Sequence, residues 1–180
     1  MSTLKRFAVG TITALAVGST SAAAQESPEL GVLATAEDIA AWDLSISPDG
    51  TGLPAGSGNA ATGAEVYALK CISCHGPEGT GSLNAALAGG HGTLTSDSPL
   101  KTVGSFWPYA TTVFDYIRRA MPFTQPQSLT DDEVYALTAY LLYINGIIAE
   151  SEVMNADTLP RVEMPNRDGF ILAYPPVQRR

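Results

Sequence analysis

The chain has 180 residues, room for one domain of ordinary size plus flanking segments. Its formal charge is −8, from 10 Lys and Arg against 18 Asp and Glu. That balance argues against nucleic acid and anionic membrane surfaces as partners, because both are bound by basic side chains that neutralise phosphate. It suits a basic protein partner, or serves solubility alone.

The chain begins as a secretory signal does. Lys5 and Arg6 form a short positive region, residues 7–18 are apolar, and small residues end in Ala22-Ala23-Ala24. Cleavage after Ala24 is expected, which places the mature protein in the periplasm. The alternative is an uncleaved anchor, but the apolar run is shorter than the roughly 20 residues that span a bilayer. Cleavage removes Lys5 and Arg6 and no acid, taking the charge from −8 to −10. No later run is apolar enough to cross a membrane, so a soluble mature protein is expected.

Residues 25–60 form an N-terminal extension with little periodic pattern. Asp38-Ile39-Ala40-Ala41-Trp42 reads as a short helix or an extended arm, and Pro48 to Pro54 carries turn chemistry. A helix is predicted over 61–74, where Gly63, Tyr67 and Cys71 recur every four residues on one face.

Two cysteines occur in the chain, and an exported protein could join them in a disulfide. They stand in Cys71-Ile72-Ser73-Cys74-His75, however, which is the C-x-x-C-H haem attachment signature. Two thiols three residues apart lie on one side of a helical turn, where both can add to the haem vinyl groups. His75 then offers an imidazole nitrogen to the iron. Gly76 lets the chain turn away beside the cofactor. A zinc site takes about four ligands, and beyond this cluster the chain has no further Cys and a single further His, His91. One covalent haem c is therefore expected.

Residues 76–106 are rich in Gly, Ser and Thr. So long a stretch without periodicity is expected where a cofactor supplies the missing apolar volume. A helix is predicted over 108–119, with proline in its first turn and Val113, Phe114 and Ile117 on its apolar side. Met121 follows at the stiff edge before Pro122. Met/His ligation is the common arrangement in electron-transferring haem proteins, so Met121 is the leading second axial ligand. Met164, also followed by proline, and His91 are the rivals. Met154 reads as an ordinary loop methionine. The last helix is predicted over 131–145, with a Thr130/Glu133 capping box and a buried stripe of Val134, Leu137, Leu141 and Ile144. Asn145-Gly146 ends it. The tail, with Pro160, Pro165, Pro175 and Pro176, is predicted to be extended.

Gly63 and Tyr67 before the haem motif, with Leu137-Thr138-Ala139-Tyr140-Leu141 in the last helix, resemble the N- and C-terminal helices of class I cytochromes c. The resemblance implies an all-α fold of three to four helices around one haem, with extended arms and a cytochrome domain over 61–148, followed by a 149–180 tail. A narrower resemblance runs through Trp107-Pro108-Tyr109, Asp115-Tyr116-Ile117-Arg118-Arg119-Ala120-Met121-Pro122, Ser128 to Leu137, and Met164-Pro165-Asn166-Arg167-Asp168-Gly169-Phe170. These segments are similar to cytochrome c subunits of periplasmic sulfur-oxidising dehydrogenases. The resemblance implies His75 and Met121 as axial ligands and a molybdenum-containing subunit, oxidising sulfite or sulfane sulfur, as partner. A downstream cytochrome or oxidase would receive the electrons. Some members carry a second haem domain, which this single motif does not supply. Members with sulfur chemistry at haem use a cysteine ligand, and here both cysteines are taken by thioethers. Substrate chemistry is therefore expected on another polypeptide.

Arg118 or Arg119 could pair with haem propionates, or could simply complement the end of their helix. Trp107 and Tyr109 could donate to propionates or line the haem edge, or serve as amphipathic core residues. The 164–170 segment could cover the haem or dock a partner. The expected function is single-electron transfer without catalysis. The competing readings are a peroxidase-like haem enzyme with a labile distal ligand, a sensor, and a general shuttle unrelated to sulfur.

Overall fold

The computed structural model describes residues 30–171 with 173 and 174, so the expected export signal lies outside the described residues. Contacts divide the chain into Met1–Thr35 and Ala36–Arg180. In the first unit, residues 30–35 carry neither helix nor strand.

The second unit holds helices α1 (Ala36–Trp42), α2 (Ala60–Lys70), α3 (Ile72–His75), α4 (Ala110–Ala120) and α5 (Asp131–Ile144). Strands β1 (Ser57–Asn59) and β2 (Val153–Asn155) form one small antiparallel ladder, in which Gly58 stands opposite Met154. No helix among the described residues is long and apolar enough to cross a membrane.

The core is the crossing of α2 over α5. It is possible because Gly63 has no side chain: a Cβ there would collide with the carbonyl oxygen of Ala136 and sit 2.7 Å from Tyr140 Cβ. Gly58 makes the same close approach to the Ala136 backbone from β1. Both helices begin on reciprocal caps. Asn59 accepts from the Thr62 amide at 3.0 Å, and Thr130 accepts from the Glu133 amide while its own amide donates to Glu133. Glu133 also receives the Lys70 ammonium at 2.6 Å, tying the end of α2 to the start of α5. That bond is the main reason its carboxyl is held below the ordinary value.

α4 packs its apolar side onto α5, with Phe114 and Tyr135 rings 4.4 Å apart and both side chains fully buried. Such a pair contributes about 0.5–1.5 kcal/mol beyond its area burial. The leader lies on this core from Ile46 onward. The buried Ile46 amide donates to Asp115 on α4, and the Tyr135 hydroxyl donates to the Pro54 carbonyl.

Two predicted elements differ from the structure. The 61–74 helix is interrupted at Cys71, whose φ of −125° and ψ of −35° leave the helical region and begin the separate turn α3. The tail is folded rather than simply extended. Met154, Leu159, Val162 and Met164 are core residues, and Thr158 and Asn155 close a turn between β2 and the Leu159–Arg161 turn. Burying four apolar side chains offsets the ordering cost that prolines already lower by restricting the unfolded chain.

Candidate haem site

The attachment residues sit on α3 and its two flanks. The amides of Cys74 and His75 both donate to the Cys71 carbonyl, making a single helical turn. Cys71 and Cys74 therefore lie on one side of it, both free thiols and both half-buried. Burial pushes the Cys71 thiol up to about 11, with Lys70 opposing. Among the described residues no three His, Cys, Asp or Glu side chains come together as a metal cage, which leaves this run without the extra ligands zinc takes.

Gly76 ends the turn at φ +74°, and a Cβ there would strike the Gly81 carbonyl. The loop beyond folds back onto the motif. The Gly81 amide donates to His75 O at 2.8 Å and the Asn84 amide to Cys74 O at 2.9 Å. This brings the Ala85 carbonyl to 3.2 Å from His75 Nδ1. A carbonyl only accepts, so Nδ1 carries the proton and Nε2 keeps its lone pair for a metal. From beneath, the buried Tyr67 hydroxyl donates to Gly76 O at 2.8 Å, and burial raises its own ionisation to about 12.

Of the candidate second ligands, Met154 and Met164 are enclosed by protein, 2% and 3% exposed. His91 is exposed on its loop, beside Gly104. Met121 caps the C-terminus of α4, its amide bonded to the Ile117 carbonyl and its side chain half-buried against the core. It is the least buried of these three thioethers.

Trp107 is half-buried and meets Tyr116 edge to face at 5.8 Å. Tyr109 caps the start of α4 with the Arg167 guanidinium 4.8 Å from its ring centre. Arg118 Nε donates to Asp131 at 2.8 Å, at the start of α5. Arg119 is likewise committed to Asp115, Nε at 3.0 Å.

Asn145 was read only as a helix end, and the structure makes it a hub. Its Oδ1 accepts from the Gly89 amide, and its Nδ2 donates to the carbonyls of Leu87 and Leu141. It thereby fastens the 76–106 loop to α5. The carbonyl of Ala85 was not expected either, because a role carried by a backbone atom leaves no residue-type signature.

The donor set fits a haem c. Two thiols and an imidazole nitrogen lie within five residues, and a thioether stands at the end of α4. Apolar side chains that neighbour these residues in the chain, Ile72, Leu83 and Phe123, are left uncovered by the protein.

The cytochrome c family pattern matches residues 60–145. No curated protein matches the chain. Among solved structures, the chain is similar to one in the crystal structure of the sulfane dehydrogenase SoxCD from Paracoccus pantotrophus. Identity is 46%, over 81% of this chain and 72% of that one, with a TM-score of 0.76. The helical crossing, the attachment motif and this identity together place the chain in the cytochrome c family, as an electron-transfer protein with covalently bound haem c.

Proposed function

We propose that this chain is a periplasmic single-haem cytochrome that takes electrons from a molybdenum-containing sulfite or sulfane dehydrogenase subunit. It passes them one at a time to a downstream cytochrome or oxidase of the respiratory chain. The observation that carries the reading is the 46% identity to a chain of a sulfane dehydrogenase structure over most of the molecule. The export signal at residues 1–24 supports the compartment.

In this reading Cys71 and Cys74 would hold the haem through thioethers, and His75 Nε2 and Met121 Sδ would be the donors to its iron. When bound, the haem supplies one-electron chemistry. The protein's part is to hold both donors in place. His75 is aimed by the Ala85 carbonyl, and Met121 is anchored by its backbone bond to the end of α4. With His75 and Met121 both serving as donors, the iron would have no position left for a substrate, and sulfur oxidation would belong to the partner polypeptide. Trp107 and Tyr109, half-buried ahead of α4, border the cofactor.

The test is haem reduction on mixing oxidised protein with sulfite or thiosulfate, alone and with periplasmic extract of the source cells. Reduction that needs both the extract and a sulfur substrate is expected. Fast reduction without extract would place the chemistry at this haem. No sulfur-dependent reduction in an extract with proven dehydrogenase activity would mean that the donor is of another class.

A further inference from the structure

The described residues hold six basic side chains, and three are committed to carboxylates: Lys70 to Glu133, Arg118 to Asp131 and Arg119 to Asp115. Lys101, Arg161 and Arg167 make no ion pair among the described residues. In a chain of net charge −8 that is a notable reserve, and two of the three are gathered on one short segment. Lys101 lies 5.0 Å from the Phe106 ring centre and Arg167 lies 4.8 Å from that of Tyr109. Trp107 lies between Phe106 and Tyr109 in the chain, and the segment leads into α4, which Met121 caps at its far end.

The tail that carries Arg167 is built onto this segment. Met164 is buried in the core. The Asn166 side-chain amide donates to the Phe106 carbonyl at 2.8 Å, and Phe170 meets Phe106 edge to face at 5.2 Å. Arg167 thus sets its guanidinium over an aromatic ring while the residue stays exposed, and its Nη1 donates to the Val162 carbonyl at 3.5 Å, a placement that suits a guanidinium. The charged and titratable groups around it are Tyr109 beneath, Lys101 on the neighbouring ring, and Arg161, Glu163 and Asp168 lining the same cleft of the tail. Neither acid makes an ion pair with it.

We propose that Arg167, held against Tyr109 by the 164–170 segment, is a carboxylate-binding residue of the haem site and pairs with a haem propionate. The tail is then part of the cofactor site, although it lies beyond residues 60–145, where the family pattern ends. The inference rests on the reading of Cys71, Cys74, His75 and Met121 as the haem donors. It gives Arg167 a role for which Arg118 and Arg119, each already paired with a carboxylate, are the rivals.

The first measurement needs no variant. In the reduced holoprotein, through-space NMR contacts from the propionate methylenes are expected to reach the side-chain protons of Arg167 and the ring of Tyr109. Contacts to Arg118 or Arg119 with none to Arg167 overturn the proposal. The second compares Arg167→Gln with Arg161→Gln, each removing one positive charge from the tail. In Arg167→Gln the propionate-linked inflection of midpoint potential against pH is expected to move up by about one pH unit or more, because an adjacent opposite charge holds a carboxyl down. Arg161→Gln is expected to keep the wild-type profile, and Arg167→Lys to stay close to it. Identical profiles in the two Gln variants overturn the proposal. Methionine ligation, read in the optical spectrum of the same samples, separates the two failures. Its presence with a silent Arg167 refutes this inference alone, and its absence refutes the donor assignment.

Discussion

Replacing Gly63 by alanine tests the α2–α5 crossing, because two effects there have opposite signs. In an exposed helix interior, glycine to alanine stabilises by up to about 1 kcal/mol. At Gly63 the added Cβ would overlap the carbonyl oxygen of Ala136, and would lie 2.6 Å from its carbonyl carbon and 2.7 Å from Tyr140 Cβ. All three are backbone or first-carbon atoms, so no rotamer change relieves them. The helices must separate, loosening the contact between Tyr67 and Tyr140, whose rings lie 5.1 Å apart. Overpacking of this kind costs about 1–3 kcal/mol, and backbone involvement sets it at the upper end. After subtracting the propensity gain, a net loss of about 2 kcal/mol is expected, or about 4–8 °C in Tm. The assay is guanidinium denaturation of the oxidised holoprotein followed by far-UV circular dichroism, with Ala61→Gly on the exposed face of α2 as control. Glycine at 61 should cost about 1 kcal/mol through propensity alone. A Gly63→Ala protein as stable as wild type, or more stable, would refute the close-approach argument.

Met121→Ala is expected to lower the midpoint potential and to let carbon monoxide bind the reduced protein quickly; an unchanged ligand spectrum would refute the assignment. Asn145→Ala strips the Gly89 amide of its side-chain acceptor and takes one of two donors from the Leu87 carbonyl, which keeps the Val103 amide. One part-buried amide left unsatisfied costs about 1 kcal/mol, and the denaturation midpoint measures the loss. Glu133 has its carboxyl lowered, chiefly by the Lys70 bond, from an ordinary 4.5. A depressed carboxyl contributes stability above its unfolded value and loses that contribution as pH falls through its folded value. The stability gap between wild type and Glu133→Gln should therefore be flat above about pH 5 and close below it, as denaturation at stepped pH would show.

Much of the helical frame could be read from local pattern. The apolar side of α4 and the stripe of α5 carry their own periodicity, and the Thr130/Glu133 cap uses residues three apart, so all are visible within a window of one or two turns. The break at Cys71 could not be read, because a four-residue spacing continues through it while the backbone does not. Nor could the β1–β2 ladder. Ser57-Gly58-Asn59 has little strand propensity, and the pairing is imposed by the fit of Gly58 against the Ala136 backbone 78 positions away. The tail misled for a related reason. Its prolines are a local signal of extended chain, whereas the burial of Met154, Leu159, Val162 and Met164 depends on what lies opposite them.

The same division runs through the site. The covalent chemistry was determined by the sequence itself: two thiols and an imidazole stand within five consecutive residues, and the geometry of one helical turn relates them whatever surrounds it. The tertiary structure alone decided which methionines are fully buried, which carbonyl meets the His75 ring, and which arginines find a carboxylate among the described residues. Each of those depends on groups from distant parts of the chain meeting at hydrogen-bond or van der Waals range. Arg118 against Asp131 and Arg167 against Tyr109 are such meetings, set by packing rather than by neighbours in the chain.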